Sequence, residues 1–170
     1  MRNLAVILFT LILYGCEKNV EIDKVKGGYL ANNTTTTIGT ALDNWKSCKE
    51  TKWENIQVDN KNIVQFTCTH EQGNFFNTLD PKNANWSSVK AVSHVFQFIP
   101  ASNSDNEVKL YDLVVNINWN DGSFYSEDPT PSNILKYVYS NSLYLNSDTL
   151  DEDGKYINYL FFAGSYNRSE

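Results

Sequence analysis

Ile63-Val64-Gln65-Phe66-Thr67-Cys68-Thr69-His70 decides how this chain is read. Val64, Phe66, Cys68 and His70 alternate with Gln65, Thr67 and Thr69, the period of two by which a strand turns successive side chains to opposite faces. The first set faces a core. Upstream, Asp59-Asn60-Lys61-Asn62 supplies turn residues, and Trp53 to Val58 forms the preceding strand. Downstream, residues 71–88 carry Gly73, Pro81 and several Asn and read as loop. Ala91 to Ile99 then turns His94, Phe96 and Phe98 one way and Val95, Gln97 and Ile99 the other. Both faces are partly apolar, as in a central strand. Pro100 to Asn106 is a polar turn, Val108 to Trp119 a strand that completes a hairpin, and Asp121-Gly122 a further turn.

On either side of these strands the period lengthens to that of a helix. Ile38, Ala41, Leu42 and Trp45 fall at i, i+3, i+4 and i+7 behind Thr37 as N-cap, with Asp43, Asn44 and Lys46 opposite; Gly39 weakens the first turn. Pro129 and Pro131 announce a second helix, with Ser132 as N-cap and Ile134, Leu135, Val138 and Tyr139 as its apolar stripe. An apolar segment at Leu143 to Leu145, an acidic turn at Asp148 to Gly154 and a last strand at Tyr156 to Ala163 close the chain. The expectation is an α+β domain over 34–170, with one antiparallel β-sheet and two helices packed on one face.

Composition agrees with one domain. The chain has 170 residues, 41% hydrophobic and 14% aromatic, enough for a core and against wholesale disorder. Its 20 acidic and 14 basic side chains give a net charge of −6, without the convergent Lys and Arg that phosphate binding needs. No nucleic-acid partner is therefore expected. No apolar run reaches the roughly 20 residues of a membrane-spanning helix.

The N-terminus carries the strongest functional signal. Arg2 provides a positive start, Leu4 to Tyr14 is a short apolar stretch, and small Gly15 precedes Cys16, the layout of an export signal over 1–15. Leu13-Tyr14-Gly15-Cys16 resembles the lipobox of bacterial lipoproteins, although Tyr14 is bulkier than the residue usual there. The resemblance implies cleavage before Cys16 and lipidation of its thiol, with residues 16–33 as a tether that includes one short strand at Tyr29-Leu30. Burial of acyl methylenes, at roughly 0.8 kcal/mol each, would hold the protein on a membrane. Glu17 rather than Asp after the cysteine favours an outer-membrane address with the domain facing the periplasm.

Cleavage leaves Cys48 and Cys68 as the remaining thiols, and in an oxidising envelope two such thiols pair. Cys68 lies on the core face of its strand, where the end of the first helix brings Cys48, so strand geometry points to the same disulfide. Neither cysteine sits in a CxxC, and neither His70 nor His94 is spaced as in a zinc motif.

Candidate chemistry elsewhere is thin. His70 and Glu71 are adjacent and therefore point to opposite faces; with His94 they are expected to be structural, and no catalytic residue, cofactor or metal is assigned. Asp151, Asp153 and Gly154 give only a fragment of a calcium loop. Of the Asn-Trp pairs at Trp45, Trp86 and Trp119, only Trp86 falls in a loop, so it is the candidate for stacking on a glycan. No GxSxG, phosphate loop, HExxH or SxxK is present.

Thr36-Thr37-Ile38-Gly39-Thr40-Ala41-Leu42-Asp43, followed by Trp53 and Val64-Gln65-Phe66-Thr67, resembles a pattern in small bacterial lipoproteins. The helix followed by antiparallel strands is similar in shape to small outer-membrane-assembly lipoproteins and to the β-lactamase-inhibitor-like fold, which implies little about activity. The function expected is a non-enzymatic, lipid-anchored envelope lipoprotein that binds another envelope protein. The alternatives are an inhibitor or immunity-type lipoprotein against a basic cell-wall hydrolase such as lysozyme, and a small hydrolase using His70 or His94.

Overall fold

The computed structural model describes residues 19–71, 89–100 and 106–142. Five strands form one antiparallel sheet in sequence order: β1 (Glu50–Val58), β2 (Lys61–Glu71), β3 (Val89–Ile99), β4 (Lys109–Trp119) and β5 (Phe124–Glu127). Three helices accompany them among the described residues: α1 (Val20–Gly27), α2 (Ile38–Asp43) and α3 (Pro131–Tyr139).

The β1–β2 hairpin turns on two residues only, because Asp59 (φ 48°) and Asn60 (φ 61°) both enter the left-handed region that a tight hairpin of this twist requires. Asp and Asn tolerate that conformation better than other non-glycine residues. Lys61 and Asn62, expected in the turn, therefore begin β2.

One face of the sheet is dry. Val64, Phe66, Cys68 and His70 of β2, Val92, His94, Phe96 and Phe98 of β3, and Leu113, Val115, Ile117 and Trp119 of β4 are buried. Cross-strand pairing sets Phe66 beside Phe96 and Cys68 beside His94. Trp53 of β1 lies 4.7 Å from the Phe66 ring, ring centre to ring centre, an aromatic contact that adds about 1 kcal/mol to the area buried. On the opposite face Glu54, Gln65 and Gln97 form a hydrogen-bonded ladder across three strands: Gln65 donates to Glu54 (3.1 Å) and Gln97 to Gln65 (3.0 Å). The amide and carboxylate groups satisfy one another there, so this half-buried polar row costs little.

The segment read as a tether contains a helix. Ile22 and Val25 of α1 are buried in the same hydrophobic cluster as the sheet, so residues 20–27 belong to the folded domain. Glu21 and Asp23 in its first turn and Lys24 and Lys26 in its last complement the helix dipole. The mixed charge that looked like a linker is thus the solvent side of a short amphipathic helix. At Tyr29 the chain makes a single parallel bridge to Glu107 rather than a strand.

Thr37 caps α2 as expected, accepting a hydrogen bond from the Thr40 N–H at 3.2 Å, and Ile38, Ala41, Leu42 and Trp45 are all buried. Gly39 has a tertiary reason. A Cβ there would stand 2.8 Å from the Lys26 carbonyl oxygen, so glycine lets α1 and α2 approach. Lys26 also reaches Asp43 (2.6 Å), which accepts from the Trp53 indole N–H at 2.7 Å.

At α3 the cap is Thr130 and not Ser132, because Pro131 already occupies the first helical turn, where its missing N–H costs nothing. Ile134, Tyr137 and Val138 are buried, whereas Leu135 and Tyr139, expected on the inward stripe, are half-exposed. β5 was not anticipated; it pairs with β4 from Val115↔Glu127 to Asn118↔Phe124. The segments Leu143 to Leu145, Asp148 to Gly154 and Tyr156 to Ala163 lie outside the described residues, as do residues 1–15, expected to be an export signal, and Cys16.

Cys48 and Cys68 form a disulfide that joins the α2–β1 connection to the middle of the sheet. It closes a loop of 20 residues in sequence separation, and such a loop stabilises by about 3 kcal/mol in the chain-entropy account.

Candidate functional site

Among the described residues, two places have enough chemistry to weigh. The first is the buried end of the sheet around the disulfide. Cys68 and His94 are cross-strand partners, and His70 lies two residues beyond Cys68 on the same face of β2. The structure therefore brings together two histidines that the alternation had placed on one face without pairing. His70 Nε2 is 2.8 Å from His94 Nδ1 and 3.5 Å from Cys68 Sγ. The Trp45 ring lies against both imidazoles, 5.5 Å from each, ring centre to ring centre.

Burial dominates the electrostatics of this cluster. The His70 pKa falls from 6.5 to about 4, because desolvation penalises the charged ring more than its hydrogen bond to the Ser47 backbone favours it. His94 is pushed in the same direction, first by desolvation and then by repulsion from His70. A bond that favours the charged ring is one in which the ring donates. His70 Nε2 faces His94, so the other ring nitrogen, Nδ1, is the one left to donate to Ser47. His70 then presents its lone pair at Nε2, and His94 donates to it from Nδ1. With exposures of 2% and 0%, neither ring meets solvent.

The second place is a groove between the Leu30–Asn33 turn, the start of β4 and α3, with a volume of about 610 Å³. Leu30, Leu110, Leu135 and Tyr139 give it apolar walls, while Lys109, Lys136, Glu107 and Asn33 supply polar groups. That combination and size are those of a ligand or peptide pocket. Burial raises the Tyr139 pKa to about 12, so its hydroxyl stays protonated at any physiological pH. The groove was not legible in the sequence, whose periodicity sets Leu135 and Tyr139 on the inward stripe. Leu135 and Tyr139 are spaced i, i+4, and Tyr137 rather than either of them completes the buried stripe with Ile134 and Val138.

Trp45 and Trp119 are core residues, each 2% exposed, while the glycan candidate Trp86 lies outside the described residues. No family model, curated protein or solved structure matches this chain.

Proposed function

We propose that this protein is a lipid-anchored, disulfide-stabilised binding domain of a bacterial envelope, exported through residues 1–15, acylated on Cys16 and acting by contact with another envelope protein rather than by catalysis. The groove beside α3 carries the reading: it is an open, mostly apolar cavity of about 610 Å³ with half-exposed Leu135 and Tyr139 in its wall. Support comes also from the disulfide, a bond that persists in oxidising compartments, and from the sealing of both histidines, which removes the chain's usual general bases from solvent. The reading takes two helices to cover one face of the sheet, supported by the continuity of the hydrophobic cluster from α2 and α3 into β2, β3 and β4. Anchoring confines the domain to a surface, so a modest intrinsic affinity suffices.

The test has two parts. Expressed as the full chain in a diderm bacterium, the wild type should incorporate labelled fatty acid and fractionate with membranes, and Cys16→Ala should do neither. A photo-crosslinking residue at Ser132, which lines the groove, should trap one dominant envelope protein, and the same residue at exposed Lys52 should not. Equal trapping at both positions would refute the groove as the docking site. Loss of capture between low and high salt would favour the inhibitor of a basic hydrolase, since removal of Arg2 leaves a domain about one charge more negative than the full chain's −6.

A further inference from the structure

The disulfide end of the sheet gathers both cysteines of the described residues and both histidines of the chain: His70 Nε2 lies against Cys68 Sγ and His94 Nδ1, and Cys48 is bonded to Cys68. We infer that Cys48, Cys68, His70 and His94 constitute a redox-gated site for a thiophilic, tetrahedral divalent cation such as Zn²⁺, closed by the disulfide and opened by its reduction. The inference does not use the groove, and it rests on the envelope reading for the oxidised resting state and for the acylation that removes Cys16 as a third thiol.

The distances are close to what such a centre needs. Zn–S bonds of about 2.3 Å and Zn–N bonds of about 2.05 Å at tetrahedral angles put S and N about 3.6 Å apart and two N about 3.3 Å apart. Cys68 Sγ and His70 Nε2 are already 3.5 Å apart, and His70 Nε2 and His94 Nδ1 are 2.8 Å apart, so the rings must separate by about half an ångström. The sulfurs must part from bonding distance to about 3.8 Å, which only reduction permits. Cys48 sits in the connection between α2 and β1 rather than in a strand, so its displacement breaks no strand pairing. With the disulfide intact, no three His, Cys, Asp or Glu side chains among the described residues are arranged to hold a metal.

The surroundings also suit a metal. His70 turns Nε2 toward the cluster and Nδ1–H toward the Ser47 backbone, the orientation by which ligating histidines are usually held. Two thiolates and two neutral imidazoles cancel the charge of Zn²⁺, so a centre this deeply buried carries no net charge. Trp45 walls the imidazoles from water.

Opening requires a dithiol reductant. Cys68 is fully buried and Cys48 half-buried, so a thiolate of the reductant attacks Cys48 Sγ. The S–S bond breaks, and its electron pair leaves on Cys68 Sγ, which takes a proton. The second thiol of the reductant then resolves the mixed disulfide and releases Cys48, so two electrons and two protons enter the protein and the reductant becomes a disulfide. Binding the cation sends both thiol protons to solvent, and the His94 proton moves from Nδ1 to Nε2 so that Nδ1 can ligate. Thiol–disulfide exchange with an oxidised dithiol carrier runs the sequence in reverse, the carrier's disulfide taking the two electrons, and expels the ion.

Co²⁺ and Zn²⁺ titrations of the purified full-length mature chain test this, with and without prior reduction by a phosphine under anaerobic conditions. The reduced chain should bind one equivalent of Co²⁺ with the ligand-field and thiolate charge-transfer bands of a tetrahedral S₂N₂ site, displaced by Zn²⁺, and the oxidised chain should show neither band. His70→Gln and His94→Gln should each weaken binding by more than the roughly 10–100-fold typical of a lost outer-shell partner. Near-UV circular dichroism covers the case in which reduction loosens the fold, since Zn²⁺ must then restore the native aromatic signal. The inference is overturned if the reduced chain binds no metal, if the oxidised chain or the double histidine variant binds equally well, or if binding persists undiminished in denaturant.

Discussion

Acidification from pH 6.5 to 5 should destabilise this domain through its two histidines, before the carboxylates titrate appreciably. In the unfolded chain a histidine takes up a proton near pH 6.5, whereas folded His70 resists until about 4, so the unfolded state binds more protons throughout that interval. A lowered folded pKa gives stability that is fully present above the unfolded value and lost as pH falls toward the folded one. Well below the unfolded value each pH unit removes up to about 1.4 kcal/mol through His70. From pH 6.5 to 5 His70 accounts for about 1.6 kcal/mol, because the unfolded histidine is already half protonated at the start of the interval, and the His94 shift, of the same sign, adds to it. Urea unfolding of the oxidised protein, followed by tryptophan fluorescence, measures this directly. The wild-type midpoint should fall steeply across the window with little change in slope, whereas a folded His70→Gln/His94→Gln variant should show only a shallow dependence. A wild-type midpoint flat between pH 6.5 and 5 would refute the reasoning, because it would mean that the imidazoles titrate normally and are not desolvated.

Three further outcomes follow from particular contacts. Gly39→Ala should destabilise the fold by about 1–3 kcal/mol in thermal melts although alanine is the better helix former, because the new methyl would stand 2.8 Å from a backbone oxygen at Lys26. Cys48→Ala/Cys68→Ala should lower unfolding free energy by about 3 kcal/mol, read from urea curves, through release of the 20-residue loop. Asn60→Gly should leave the fold intact and raise stability by a few tenths of a kcal/mol, since φ 61° at that position suits glycine at least as well as asparagine; a loss above 1 kcal/mol would argue against this two-residue turn.

Alternation and caps were legible without a structure. The faces of β2 and β3, the burial of Ile38, Ala41, Leu42 and Trp45, and the Thr37 cap all follow from local periodicity, because a strand or helix with one wet side leaves its period in the sequence. Cys68 on the core face was enough to suggest its partner. What stayed hidden depends on neighbours distant in the chain. α1 reads as a polar linker because Ile22 and Val25 are its only buried side chains, and the surface that covers them comes from elsewhere in the fold. Ser132 resembled a cap until Pro131 claimed the first turn. β5 is four residues long, too short to show a period, and exists because β4 offers it an edge.

The sequence by itself therefore determined an α+β chain with an antiparallel sheet and a Cys48–Cys68 disulfide. Tertiary structure alone decided that His70 and His94 meet at 2.8 Å beside the disulfide and that Leu135 and Tyr139 wall a groove. Strand register sets the first, since a shift of one residue would turn His94 to the other face. The rotation of α3 about its axis sets the second, and it is fixed by the burial of Ile134, Tyr137 and Val138 together rather than by any one of them.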